Sequence, residues 1–364
     1  MSGSFGISLG SILIEVSPFF VDVLSSFVTS AKFTRHEFEE YVTPLVDADT
    51  EAASHDSAIQ AIEVAHTLAF RHGLGQSIFA PSHSSLTVND VQSFASSSFA
   101  KNNIAVLGTG IDQDTLSSLV NSAFSNVLSS STVSSSPSKY FGGETRLQSA
   151  GPQTVFIGYG ITGAPSAEIA ALAAYLSPNP SIKWSKGLSP LSSLPEGASA
   201  HTVYLPYSDA TLFGMLVQGS TAATATEAIK IVVASLKAIA QGIKAEEFKS
   251  AIAKAKFTAA NAFENREGLV NAIASRVCRL EKFLFFVLIK SSRSSPVRRR
   301  HLVTHSSLDR ISVPAFSKVG SLKFGLPFLL IYLLQSAASL ISAKPTYVVV
   351  GQSQALPYID ELGL

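Results

Sequence analysis

The stretch His201–Gly219, HTVYLPYSDATLFGMLVQG, limits the fold more than any other part of the chain. Two apolar runs, His201–Tyr207 and Leu212–Gly219, are parted by a short connector. So short a link joins antiparallel neighbours, because parallel strands need a crossover of roughly a dozen residues or more. Further strands are expected at Asn103–Thr109, at Thr154–Gly160 and, after Pro345, at Thr346–Gly351. Helical periodicity separates them. Interleaved helices with a hairpin argue for an α+β chain of mixed or antiparallel sheet with packed helices, rather than for a purely parallel one. A chain of 364 residues is also too long for a single small core, so two domains are expected.

The helix signals are specific. Phe19, Phe20, Val23, Leu24, Phe27 and Val28 recur at helical spacing. Thr34 with Glu37 reads as a capping box. It opens a helix running through Phe38, Tyr41 and Leu45 towards Asp49, which Pro44 is expected to kink. Asp56 caps the next, with Ile59, Ile62, His66 and Ala69 on one stripe and Gly73 ending it. Thr87 with Asp90 opens a helix leading to Phe94, and Asp112 caps one carrying Leu116, Leu119, Val120 and Phe124. Later helices are expected at Ala167–Leu176, Thr221–Ala240 and Ala245–Asn265, the last two punctuated by Gly242. The Ser-rich run Ser129–Ser138 has almost nothing to bury and reads as a linker. The expected division is therefore a domain at 1–128, a linker at 129–139 and a domain at 140–364.

Composition narrows the function classes. Apolar residues make up 46% and charged residues 15%, which suits a chain that buries surface against partners. A net charge of +1 argues against nucleic acid, which needs a concentrated basic field. The lone cysteine, Cys278, rules out an intramolecular disulfide framework and a cysteine-rich zinc site. Met1 to Phe20 contain Glu15 and no Lys or Arg, so they resemble neither a secretory signal nor a mitochondrial presequence. No G-x-G-x-x-G or G-x-S-x-G occurs, which argues against a nucleotide fold and a serine hydrolase.

Several segments, taken in order, carry a resemblance: LAFRHGLGQSIFA, NIAVLGTGI, FGGETRLQS, TVFIGYGI, YSDATLFGMLVQG, FENREGLVNAIASRV and KPTYVVVGQSQALPYIDELGL. The chain resembles the pitrilysin-like (inverzincin) peptidase family, in the branch that supplies mitochondrial processing peptidases and core subunits of the cytochrome b-c1 complex. The resemblance implies two pitrilysin-like domains, with roughly the first half of domain one missing here. It implies a non-catalytic structural core subunit on the matrix side of the mitochondrial inner membrane. The expected partners are core protein 1 and the cytochrome b and c1 subunits, with membrane association through the complex and no cofactor of its own. The alternatives are a non-catalytic substrate-binding subunit of a mitochondrial processing peptidase, and a truncated isoform without function.

Two internal stretches break the resemblance, near 278–305 (CRLEKFLFFVLIKSSRSSPVRRRHLVTH) and 320–335 (GSLKFGLPFLLIYLLQ). Both are expected to be unspliced introns read in frame. Val277-Cys278 can be encoded by the splice donor GTATGT, Gln335 by the acceptor end CAG, and Phe328–Leu334 by a pyrimidine-rich tract. A transcript that keeps these codons would overturn this reading. Phe324–Ala343 approaches the ~20 residues of a membrane span, yet Pro327, Gln335 and its serines argue against one. The basic run Arg298-Arg299-Arg300 lies inside the suspect stretch and carries no expected role.

No catalytic, cofactor or metal residue is expected. Inverzincins hold zinc with H-x-x-E-H on a helix, and the chain contains none. His36-Glu37 with Glu39-Glu40 is the nearest match, but it offers one histidine. His66 and His72 are six apart, on different helix faces. Glu63 and His66 are helical neighbours of the ordinary contact type. His201 and His83 are expected to be structural or exposed, and the glycines of Phe141–Glu144 and Gly158–Gly163 to shape turns.

Overall fold

The computed structural model describes residues 17–81, 86–100, 103–104, 106–109, 111–127, 136–178, 189–261, 268, 273, 286–289 and 339–364. In chain order the helices are α1 (Ser17–Thr29), α2 (Arg35–Glu37), α3 (Thr43–His55), α4 (Ser57–Phe70), α5 (Val88–Ser98), α6 (Gln113–Ala123), α7 (Ala167–Leu176), α8 (Ala222–Gln241), α9 (Ala245–Asn261) and α10 (Ile359–Leu362). The strands are β1 (Val106–Thr109), β2 (Gly143–Gln148), β3 (Gln153–Thr162), β4 (Ala198–Pro206), β5 (Ala210–Gly219), β6 (Phe286–Ile289) and β7 (Thr346–Gly351). The chain forms two compact units, one of Met1–Ala48, Pro81–Ser136 and Phe263–Thr304, the other of Asp49–Ala80, Pro137–Ala262 and His305–Leu364.

The second unit is built on a sheet of order β2-β7-β3-β5-β4. The expected hairpin is β4–β5, antiparallel, with Ala200 opposite Val217 and Tyr207 N–H donating to Ala210 O at 2.8 Å to close the turn. β2 and β7 run parallel, while β3 is antiparallel to both β5 and β7, so the sheet is mixed. Side chains alternate between faces. Val155, Ile157, Tyr159, Phe213, Met215, Val217, Tyr347 and Val349 pack into one core with α7, α8 and α9. Phe156, Leu212, Leu216, Val348 and Val350 face the opposite way, against Ala61, Ala65, Ala69 and Phe70 of α4. With helices over both faces, the central strands read as continuous apolar runs, as in TVFIGYGI.

Local chemistry sets the element ends. Asp56 accepts from Ala58 N–H (2.8 Å) and Ile59 N–H (3.2 Å) to start α4. Thr221 caps α8, whose buried face is Ala225, Ala228, Ile229, Val232, Val233, Leu236 and Ile239. Gly242, at φ +143°, ends it. The stripe expected on α4 is only partly the one the fold uses. Ala61, Ala65 and Ala69 are fully buried, Ile62 is half-buried and Ile59 is 38% exposed. Small residues let the helix lie close to the sheet, which bulky Ile59 would prevent.

In the first unit, α1 packs on α6 through Val21, Leu116, Val120 and Phe124. The strand expected from Asn103 is shorter, Val106–Thr109, and pairs in parallel with β6. Pro44 does perturb its helix. Its ring crowds the carbonyl one turn back and it has no N–H to donate. The chain widens ahead of it into a π-turn, Phe38–Val42, in which Thr43 N–H reaches back five residues to Phe38 O.

Apart from β6, the stretch 278–305 lies outside the described residues, as do 320–335, Cys278, His83, Arg298–Arg300 and most of the linker. No described helix is long and apolar enough to cross a membrane, and of Phe324–Ala343 only 339–343 is described.

Candidate functional site

Two of the histidines that invite a metal reading, His36 and His66, are occupied otherwise. His36 Nδ1 lies 2.8 Å from Glu40 Oε1, one helical turn on, and Arg35 Nε donates to Glu39 Oε1 at 2.7 Å. All four side chains are more than half exposed, so these are surface pairs worth little. Glu37 serves the capping box with Thr34, and those hydrogen bonds hold its carboxyl below the ordinary range.

His66 is buried on α4. Its Nδ1 meets Ile62 O at 2.8 Å and its Nε2 meets the Tyr207 hydroxyl at 2.7 Å. With Nδ1–H donating to the carbonyl, Nε2 accepts from the tyrosine. Both ring nitrogens are then used, leaving none for a metal. Burial lowers the His66 pKa, against the opposing pull of Ile62 O and Glu63, so the ring stays neutral. The Glu63 carboxylate accepts from Ser77 Oγ (2.8 Å) and Ile78 N–H (3.2 Å), which ties the loop after α4 to the helix. His72 and His201 are exposed. Among the described residues, no three His, Cys, Asp or Glu side chains gather as a metal site would require.

The glycines divide into two kinds. Gly142 and Gly163 have φ of +64° and +102°, values suited to turns. Gly158 and Gly160 lie inside β3. A Cβ at Gly158 would stand 2.4 Å from Phe213 O, and one at Gly160 would stand 2.4 Å from Tyr140 Cδ2. These two do not form turns: Gly158 makes room for the neighbouring strand and Gly160 for the ring of Tyr140, roles that only the folded packing reveals.

Among the described residues, the most heavily bonded charge is Arg146 on β2. Its guanidinium donates to Glu144 Oε1 (2.6 Å), to Ser353 O (2.8 Å) and to Leu356 O and Pro357 O, and it lies 3.9 Å above the Tyr358 ring. Nothing in the local sequence around Arg146 marks it. Its carbonyl partners Ser353, Leu356 and Pro357 lie 207, 210 and 211 residues on, and it acts as a clamp on the C-terminal tail.

No protein-family model matches the chain. It is 35% identical over 355 residues to the mitochondrial cytochrome b-c1 complex subunit 2 of Cryptococcus neoformans, covering 95% of this chain and 73% of that protein. The chain belongs to the cytochrome b-c1 complex subunit 2 family. The subunit 2 of Yarrowia lipolytica is 32% identical, with 95% of this chain and 75% of that protein covered. More distantly, the chain is 25% identical to mitochondrial-processing peptidase subunit alpha-2 of Dictyostelium discoideum, over 92% of this chain and 71% of that protein. A solved chain of complex III from Candida albicans superposes with a TM-score of 0.71 at 16% identity, covering 96% of this chain and 80% of that one. The subunit 2 family and its processing-peptidase relative agree with the α+β fold described above.

Proposed function

We propose that the chain is a non-catalytic structural core subunit of the mitochondrial cytochrome b-c1 complex (ubiquinol–cytochrome c reductase, complex III). In this reading it sits on the matrix side of the inner membrane and pairs with core protein 1. It supports the cytochrome b and c1 subunits, carries no catalytic, cofactor or metal residue, and reaches the membrane through the complex. Its domains are the segments 1–128 and 140–364, with 49–80 contributing to the compact unit of the second. The observation that carries the reading is the 35% identity to a subunit 2 across 95% of the chain. Low charge and large apolar content suit a protein whose role is burial against neighbours.

The test is mass spectrometry of the complex purified from the source organism. Peptides from Tyr140–Arg146 and Pro345–Leu364 in stoichiometric amount are the expected result. Peptides found only with a processing peptidase would move the assignment to a substrate-binding subunit of that enzyme, the reading favoured by the Dictyostelium relative.

A further inference from the structure

Residues 138–142 have neither helical nor strand structure, yet three separate parts of the second unit hold them. At the end of the Ser-rich run, Ser138 N–H donates to Asp209 Oδ2, in the β4–β5 turn, at 2.8 Å. The Tyr140 hydroxyl donates to Lys344 O at 2.6 Å, just ahead of β7, and lies 3.1 Å from Thr346 Oγ1. Phe141 N–H donates to Ala69 O at 2.9 Å. Ala69 O is one of the last carbonyls of α4, which a helix end leaves without a partner of its own. The strap 138–142 therefore caps α4 from a distant point in the sequence.

Strap and helix also share side-chain space. A Cβ on Gly160 would stand 2.4 Å from Tyr140 Cδ2 and 3.1 Å from Phe70 Cε1, so both rings lie over that glycine. The Arg71 guanidinium stands 4.1 Å over the Phe141 ring. Arg71 has φ +58° and ψ −60°, and His72 N–H closes a γ-turn onto Phe70 O at 2.6 Å. Such a turn is strained and persists only where its surroundings hold it. Of the two covers of the sheet, α4 is the lighter. It brings Ala61, Ala65, Ala69 and Phe70, whereas the opposite core is closed by larger side chains such as Leu172, Leu176, Ile229, Val232, Leu236 and Phe248. Elements with little buried apolar surface open first.

We propose that the strap and α4 form one latch, which opens and closes as a unit while β3 and β5 stay paired. The end of the Ser-rich run is thereby coupled to α4. Drawing Ser138 away from Asp209 loosens the helix, and loosening the helix frees Ser138, since such coupling is reciprocal. The rival account is a strap that frays by itself over a fixed helix.

Hydrogen-exchange mass spectrometry of the full chain separates the two, with peptides covering 57–70, 137–142, 153–162 and 210–219. In the parent chain, the protected amides of 57–70 and 137–142 are expected to show equal protection, below that of the two strands. Unequal protection of strap and helix overturns the proposal before any variant is made. Y140F removes the hydroxyl that reaches Lys344 O, and D209A removes the acceptor of Ser138. Each is expected to speed exchange of 57–70 about fivefold, the factor one ordinary hydrogen bond gives, and to leave both strands unchanged. S57A acts from the far end of α4, where Ser57 Oγ lies 2.7 Å from Thr154 Oγ1. It is expected to speed 137–142 by the same factor as 57–70. Acceleration confined to the strap in Y140F and D209A, or an unchanged strap in S57A, means that the strap frays alone and the latch does not exist. Equal acceleration of all four peptides also overturns it, because the unit then opens only by unfolding as a whole.

Discussion

Arg146 and His66 show how single side chains hold distant parts of the second unit together. The Arg146 head is mostly buried, its side chain 14% exposed beside a Glu144 side chain 21% exposed. Breaking a buried pair strands the remaining charge and the carbonyls of the tail. Arg146→Ala is therefore expected to cost about 3 kcal/mol, read as a lower urea midpoint. Arg146→Lys recovers only part, since an ammonium lacks the planar fork that reaches several carbonyls and stacks on Tyr358. His66 makes a different prediction. Its folded pKa lies below the ordinary 6.5 because burial disfavours the cation. The unfolded chain therefore takes up the proton first as the solution is acidified. The stability due to the neutral ring is fully present above pH 6.5 and is lost as pH falls through the folded value. His66→Gln, which can still accept from Tyr207, flattens the dependence of urea stability between pH 7.5 and 5.5. An unchanged slope in that variant rules the ring out as its source. Neither residue's role was legible beforehand. Helical spacing put His66 on a stripe and near Glu63, but Tyr207 is 141 residues away in sequence.

At the scale of elements, patterns with a short period were readable and those needing a partner were not. The Thr34–Glu37 capping box, the Asp56 and Asp112 caps and the β4–β5 hairpin all stand as their spacing implies. The face of α4 is the instructive departure. Of the expected stripe Ile59, Ile62, His66 and Ala69, His66 and Ala69 are buried, Ile62 is only partly so and Ile59 is exposed, while Ala61 and Ala65 join Ala69 against the sheet. Alanine is a weak hydrophobic signal in a sequence, yet distance of approach, and not side-chain area, selects it here. Ala65→Leu, at a position with no exposed surface, should lower stability by about 1–3 kcal/mol through overpacking. Ile59→Ala, at a 38% exposed position, should change it by less than about 0.5 kcal/mol. Thermal melts of the two variants separate these accounts, and a larger loss for Ile59→Ala would restore the hydropathy stripe as the packing face.

At the scale of the whole molecule, the sheet of the second unit is assembled from widely separated parts of the chain. β7, close to the C-terminus, lies between β2 and β3 and pairs with each. The apolar run Thr346–Gly351 announced a strand, but its insertion between β2 and β3 carries no local signature. Such placement leaves the unit dependent on its last residues, since β2 and β3 share no pairing without β7. The tail beyond β7 contributes separately, through Tyr347 OH to Pro357 O at 2.9 Å, Lys237 Nζ to Leu362 O at 2.7 Å and the carbonyls held by Arg146. Two truncations distinguish strand from tail. A chain ending at Pro345 loses Val348, Val349 and Val350, all with no exposed surface, and should show no cooperative urea transition by circular dichroism. A chain ending at Gln352 keeps the strand and loses only the clamped tail. It should retain a cooperative transition at a lower urea concentration. If both chains unfold alike, either the tail is as necessary as the strand or neither is. In both cases the place of β7 between β2 and β3 would not be what holds the unit together.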